Sequence, residues 1–323
     1  MRILYAGSPA IAVPVLEALY KTKDIELIGV LTNPDTPRGR HGTPVPTDVG
    51  EAALRLGLTT LKPEKLETLV REQVSALKPD LLVSFAYGRI FGPKFLSLFP
   101  FGGINIHPSL LPKFRGPTPI QAAILNRETV TGITVQTLLK EMDSGDILAQ
   151  EQLQLNGKET NGSLSEIAAV KAAEMLPDII KKINNCVSGN DNIDFGKPQN
   201  HNEATYCKLI SKEDGFIDWC ESAVNIEAKI RAFNPWPLCR TIHDGRELIL
   251  LKADVLSENE PVDLPQNKNL PGMVLGSNKN NGILIQTGDG ILAVTELQYQ
   301  AKKALFWRDF LNGARDFAGS QLK

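Results

Sequence analysis

Short apolar runs alternate along the first half of the chain with stretches whose apolar positions recur every three or four residues. The opening run Arg2–Ala6 stops at Gly7-Ser8-Pro9, after which Val13, Leu16, Leu19 and Tyr20 fall at helical spacing. A second run, Ile25–Thr32, ends at Asn33-Pro34-Asp35, and helices are predicted over Glu51–Leu58 and Glu64–Leu77. Further strands are predicted at Asp80–Ser84, Gly103–His107 and Gly132–Leu138. Strands separated by helices of this kind predict an α/β domain with a doubly wound, mostly parallel sheet, covered on both faces. Such sheets gather ligands outside the carboxyl ends of their strands.

The texture changes after Ser163–Asn184, a long helical pattern with Leu164, Ile167, Val170, Met175 and Ile179. Ser188–Ala204 is poor in apolar residues and rich in Asn, Gly and Asp, the composition of a linker. One helix is expected at Ala223–Phe233. Short β-like runs follow at Leu238–Ile242, Glu247–Ala253, Gly272–Leu275, Gly282–Gln286 and Ile291–Leu297. Turn signals such as Asn280-Asn281-Gly282 and Gly288-Asp289-Gly290 separate several of them. This spacing predicts a smaller β-barrel of OB-like type. The expected organisation is therefore an α/β domain over 1–187, a linker over 188–205 and a barrel over 206–323.

Composition narrows the function classes only a little. The chain has 323 residues, with 35 basic and 37 acidic side chains, so its formal charge is −2 and any polyanion must be held by local patches. No apolar run approaches the roughly 20 residues that span a bilayer. The first residues lack a signal-like stretch, and a cytoplasmic protein is the expectation. Cys186, Cys207, Cys220 and Cys239 are widely spaced and form no CxxC pair, so they are expected as free thiols. His41, His107, His201 and His243 show no ligand spacing, and no metal is expected. Gly7-Ser8-Pro9-Ala10 is not GxGxxG, and neither GxxxxGK[ST] nor GxSxG occurs, which disfavours dinucleotide, P-loop and serine-hydrolase chemistry.

The densest chemistry lies in Gly103-Ile-Asn105-Ile-His107-Pro-Ser109-Leu-Leu-Pro112-Lys-Phe-Arg115-Gly116. Asn105 and His107 are two apart on a strand and so share a face at its carboxyl end. An amide donor beside an imidazole suits the holding of a developing oxyanion and the movement of a proton. Glu141-Met142-Asp143-Ser144-Gly145-Asp146, after a strand, brings carboxylates within reach of the same crevice. A pair of this kind, taken alone, is more often a turn cap and a satisfied ring, and the acids an ordinary solvated turn.

Together these segments resemble the signature of folate-dependent formyltransferases. The resemblance rests on Asn105-Ile-His107-Pro-Ser109-Leu-Leu-Pro112, on Arg115-Gly116 and on Asp143-Ser-Gly-Asp146-Ile. Farther along, Arg231-Ala-Phe-Asn-Pro-Trp-Pro237, Thr287-Gly-Asp-Gly-Ile291, and Lys302-Lys303 followed by Asp309-Phe-Leu-Asn-Gly313 look like the second domain of members that act on an aminoacylated tRNA.

The resemblance implies a Rossmann-like catalytic domain and transfer of a formyl group from 10-formyltetrahydrofolate to the α-amine of methionine on initiator tRNA. It implies a catalytic trio of Asn105, His107 and Asp143. It places the folate against Phe85, Ala86, Tyr87, Gly88, Ile90, Ser109, Leu110, Leu111 and Pro112. It assigns tRNA contacts to Arg38 and Arg40 in the Pro- and Gly-rich loop at 33–46, and to Lys302 and Lys303. The protein is expected to be a monomer without membrane contact. Related enzymes acting on an amino-sugar nucleotide share the trio, and the loop at 33–46 argues against them. One acting on glycinamide ribonucleotide would end near residue 200. A non-catalytic folate- or tRNA-binding protein would have no need of the whole trio.

Overall fold

A computed structural model describes residues 1–37, 42–188, 196–257 and 270–323. Arg38 and Arg40, both expected at the tRNA, and His41 lie outside the described residues. In chain order the elements begin with β1 (Arg2–Gly7), α1 (Val13–Lys21), β2 (Glu26–Leu31), β3 (Thr36–Pro37), β4 (Pro44–Val45), α2 (Asp48–Arg55), β5 (Thr60–Leu61) and α3 (Thr68–Ala76). They continue with β6 (Leu81–Phe85), α4 (Pro93–Leu96), β7 (Gly103–His107), α5 (Pro119–Leu125), β8 (Val130–Thr137), β9 (Ile147–Gln154) and α6 (Asn161–Ser188).

These elements build a seven-stranded sheet in the order β5-β2-β1-β6-β7-β8-β9. The first five strands run parallel, and β8 and β9 are antiparallel additions at one edge. The central parallel strands are largely apolar because both faces are covered: β1 and β6 hold Ile3, Leu4, Tyr5, Leu81, Leu82 and Val83, all fully buried. One face packs a stack of aromatic rings, Tyr87, Phe91, Phe95 and Phe99, with successive centroids 5.3, 5.5 and 5.6 Å apart. Offset packing of this kind adds to the area term that drives burial. The chain also differs from the sequence expectation at α3, which starts at Thr68 rather than Glu64. Arg89 Nη1 takes the carbonyls of Pro63 (2.8 Å) and Glu64, and holds that stretch out of a helical turn.

By contacts the chain divides into two units that are not consecutive in sequence. The first comprises Met1–Pro119, Val130–Gln154 and Ser165–Lys208; the second comprises Ile120–Thr129, Leu155–Leu164 and Leu209–Lys323. Within the first, the described part of the segment expected as a linker is hydrogen-bonded in place. Phe114 N donates to Thr205 Oγ1 (2.8 Å), Arg115 N to Thr205 O (2.8 Å) and Cys207 N to Arg115 O (2.8 Å).

The second unit contains α7 (Ala223–Ala232), β10 (Cys239–His243), β11 (Arg246–Val255), β12 (Val274–Asn278), β13 (Gly282–Gln286), β14 (Ile291–Tyr299), β15 (Leu305–Phe306) and α8 (Trp307–Gly313). Its antiparallel sheet runs β10-β11-β14-β13-β12, with β15 on β14. The two free edges are joined by the segment Ser320–Lys323. Val274 N donates to Ser320 O (3.0 Å) and Leu322 N to Gly272 O (2.9 Å), while Ile242 and Lys323 exchange backbone bonds of 2.9 and 3.0 Å. Closure of this kind removes the unpaired sheet edge. Leu322 is buried inside. Deleting Ser320–Lys323 is expected to lower the unfolding temperature of the second unit by roughly 10 °C, from the lost leucine alone. Scanning calorimetry reads this directly. Cys220 is exposed, Cys239 is buried with its thiol pushed up to about 12 by desolvation, and Cys207 is half-buried; all three are free thiols.

Candidate active site

Strand β7 ends on the trio. Its register against β8 pairs Asn105 with Gln136 and His107 with Thr134, so all four side chains issue from one face of the sheet. Thr134 is the anchor for the chain leaving β7. It donates to Ser109 O (2.6 Å) and accepts from Leu111 N (3.1 Å) and from Gln150 Nε2 (2.9 Å), which also donates to Leu111 O (2.8 Å). The segment Ser109–Phe114 is thereby strapped across β8 and β9. Gly132 on β8 leaves the strap room, because a Cβ there would stand 2.5 Å from Leu110 Cδ2.

The strap carries Phe114 O to within 2.9 Å of His107 Nε2. A carbonyl only accepts, so Nε2 bears a hydrogen and the other nitrogen is the reactive one. Nδ1 faces Asp143 Oδ2 at 3.6 Å. The Asn105 amide lies 3.5 Å from Asp143 Oδ1, a long contact that leaves Nδ2 free to turn. Asp143 sits at φ 51° on the loop between β8 and β9, and Gly116 N donates to its Oδ2 at 2.8 Å. Gln136 Nε2 donates to Oδ1 at 2.9 Å. The imidazole and carboxylate side chains are only 5% and 12% exposed, so a proton placed between Nδ1 and Oδ2 would bridge them away from bulk water.

The other expected folate residues divide in two. Phe85 and Tyr87 turn their side chains into the core, Tyr87 onto the aromatic stack. Ala86 and Gly88, which alternate with them, are exposed, at φ 50° and 79°, and open space lies where a Gly88 Cβ would be. Ile90 is 73% exposed. Ser109 Oγ donates to Lys113 O (2.6 Å) and Leu111 is buried, so both hold the strap, with Leu110 and Pro112 partly accessible. Lys302 and Lys303 are exposed at the turn between β14 and β15. Sequence reasoning overlooked Gln136 and Gln199, which bind the Asp143 loop. The available signal was an amide, Gln136, in the β-branched strand pattern Ile133–Leu138; the structure buries it fully. Among the described residues no cluster of His, Cys, Asp or Glu could hold a metal, and no helix is long and apolar enough to cross a membrane.

An α/β sheet ending in an Asn-His-Asp group, followed by a closed antiparallel sheet, defines a two-domain formyltransferase. The formyl transferase family model matches residues 1–180 and the formyl transferase C-terminal domain model matches 209–315. The chain belongs to the methionyl-tRNA formyltransferase family. It is 46% identical to the Treponema denticola enzyme over 98% of both chains, and 42% identical to the Borrelia duttonii enzyme over 99% of both. Two solved structures share the fold. One is an N-formyltransferase from Helicobacter canadensis (TM-score 0.63, 20% identity, 90% of this chain and 97% of that one). The other is HypX from Aquifex aeolicus in complex with tetrahydrofolic acid (TM-score 0.59, 18% identity, 98% of this chain and 48% of that one).

Proposed function

We propose that this chain transfers the formyl group of 10-formyltetrahydrofolate to the α-amine of methionine on initiator tRNA, with Asn105, His107 and Asp143 as its catalytic residues. The observation that carries the reading is the convergence of an amide, an imidazole and a carboxylate at the end of β7, within 3.6 Å of one another through Asp143. Near-full-length identity to methionyl-tRNA formyltransferases supports the acceptor.

The donor set fits a folate. Exposed backbone at Ala86 and Gly88, just past β6, offers N–H and C=O groups to the hydrogen-bonding edge of a pterin, and β6 lies beside β7 in register Ser84 with Asn105. The strap Ser109–Pro112 lies on the other side of β7. When bound, the donor supplies an electrophilic formyl carbon. Asn105 turns its Nδ2 toward the oxygen that gains charge as the amine attacks; one such donor commonly contributes about 3 kcal/mol to the transition state. Asp143 and His107 Nδ1 together receive the proton that leaves the amine and return it to the folate nitrogen as that nitrogen's bond to the formyl carbon breaks, with Phe114 O fixing the ring. The second unit holds the tRNA, and the whole acts as a cytoplasmic monomer.

With a formal charge of −2 the protein has no overall field to draw a polyanion, so binding depends on local cations. Arg38, Arg40, Lys302 and Lys303 are assigned this role. Replacing Lys302 and Lys303 by alanine is expected to raise KM for charged tRNA and flatten its salt dependence by about 0.7 to 0.9 log units per lost contact. Replacing Arg38 and Arg40 acts in the same way, and the donor KM is unaffected by either pair. An unchanged tRNA KM in both double variants removes the assignment. The acceptor itself is tested by offering charged initiator tRNA and a nucleotide-linked amino sugar in parallel. Formyl on methionine alone supports the reading, and formyl on the sugar overturns it.

A further inference from the structure

We propose that Gln136 and Gln199 are positioning residues for the transfer, joined to Arg115 in a one-way hydrogen-bond relay that ends on the Asp143 carboxylate. The proposal rests on the reading that Asp143 serves the reaction. It follows from which atoms in this buried chain can give a hydrogen and which can only receive one.

The relay starts at Arg115, 3% exposed, whose guanidinium has five N–H donors and no acceptor. Its Nε and Nη2 both donate to Gln199 Oε1, at 3.1 and 2.6 Å. Nη2 also reaches His201 Nδ1 (3.2 Å), and Nη1 lies 3.4 Å from the Tyr206 hydroxyl. With its oxygen fixed on the arginine, Gln199 must turn Nε2 the other way. There it meets three acceptors with its two hydrogens, one of them shared: Asp143 O (2.9 Å), Gly145 O (2.7 Å) and Gln136 Oε1 (3.2 Å). Gln136 Oε1 is also the acceptor for Gly145 N (3.2 Å). Two donors on that oxygen fix the second amide in turn, and its Nε2 points at Asp143 Oδ1, 2.9 Å away. If either amide were flipped, N–H groups would face N–H groups in a site where Gln136 is 1% and Gln199 is 5% exposed. An unmet donor there is costly.

The last link therefore presents a hydrogen to Oδ1, while Gly116 N presents one to Oδ2. Both oxygens are held as acceptors, and the carboxylate plane is set with Oδ2 toward His107 Nδ1. The relay thereby aims the Asp143 carboxylate at the ring with which it shares the proton released by the amine. Gln199 meanwhile pins two carbonyls of the loop itself, those of Asp143 and Gly145.

The ionisable groups facing Asp143 come from three further segments. His107 is on β7, Arg115 stands behind the two amides with His201 against it, and Cys207 lies on the returning segment. The Cys207 thiol is pushed up chiefly by burial, with the charge of Asp143 adding to it. Glu141 and Asp146 flank Asp143 on its own loop. Asn105 and Gln136, the closest side chains from β7 and β8, do not titrate.

The test uses the full-length enzyme with Gln136→Met, Gln136→Glu and Asp143→Ala, recording kcat, both KM values and the pH profile. Gln136→Met keeps the volume and removes the donor. It is expected to lower kcat about ten- to a hundredfold, the worth of one charge-assisted hydrogen bond. The donor KM stays within about twofold, since no ground-state contact is lost. Gln136→Glu keeps the shape but sets a second carboxylate beside Asp143, and regains activity as the pH falls and Glu takes up a proton to donate. That reversal separates positioning from packing and also covers the case in which Gln136→Met fails to fold. A kcat loss in both Gln136 variants, with no regain in Gln136→Glu as the pH falls, overturns the relay and leaves only a structural role. Wild-type kcat and pH profile in Gln136→Met, beside an inactive Asp143→Ala, overturn the relay and leave the trio standing. An active Asp143→Ala overturns the trio reading itself.

Discussion

Replacing His107 by alanine is expected to lower the turnover of formyl transfer by about a hundred- to a thousandfold while the protein stays folded. The ring is held by Phe114 O on one side and faces Asp143 on the other. Its removal therefore takes away the partner that shares the amine proton with the carboxylate. Asn105→Ala and Asp143→Ala belong to the same class, the first by loss of the oxyanion donor and the second by loss of the acceptor. Because the three act as one unit, the double variants fall little below the worst single one. Steady-state kinetics with far-ultraviolet circular dichroism as a control checks both halves. Near-normal kcat in His107→Ala contradicts the mechanism.

Gly145→Ala is expected to be as damaging by a different route. A Cβ at this position would stand 1.8 Å from Thr137 O, a backbone atom with no room to retreat. Three bonds converge there: Gly145 N to Gln136, Gln199 to Gly145 O, and Thr137 N to Asp146 O at 3.0 Å. Relieving the clash means lifting the loop off the end of β8, which carries Asp143 away from His107. Overpacking of this sort costs about 1–3 kcal/mol of stability. Turnover falls by at least about a hundredfold, since misplacement by an ångström suffices for that. Thermal unfolding and kcat are to be measured on one preparation; a fall in stability with kcat preserved shows that the loop position does not matter to the chemistry.

What the sequence made legible follows its periodicities. Buried parallel strands such as Arg2–Gly7 and Leu81–Phe85 are short, mostly apolar runs set between helical patterns, and so the α/β domain could be read directly. The strand Ile147–Gln154 could not: half solvated, it runs Ile-Leu-Ala and then Gln-Glu-Gln-Leu-Gln, which shows no strand period. The trio was visible as a motif because two members are adjacent on a strand. Its supporting amides were not, since Gln136 and Gln199 stand 63 residues apart and meet only through the fold. Tyr87 shows the opposite limit. Its place beside an expected pocket was readable, but the direction of its side chain was decided by packing against Phe91 at 5.3 Å. The join between the two free sheet edges through Ser320–Lys323 likewise depends on contacts far apart in sequence.

The most direct measurement is a single-turnover reaction with enzyme in excess, 10-formyltetrahydrofolate labelled in its formyl carbon, and methionyl-initiator tRNA. The account predicts that label passes to acid-precipitable tRNA and is recovered as formyl-methionine after mild alkali, in the wild-type protein and not in His107→Ala. Label that stays on the folate, or leaves as free formate without reaching methionine, contradicts it.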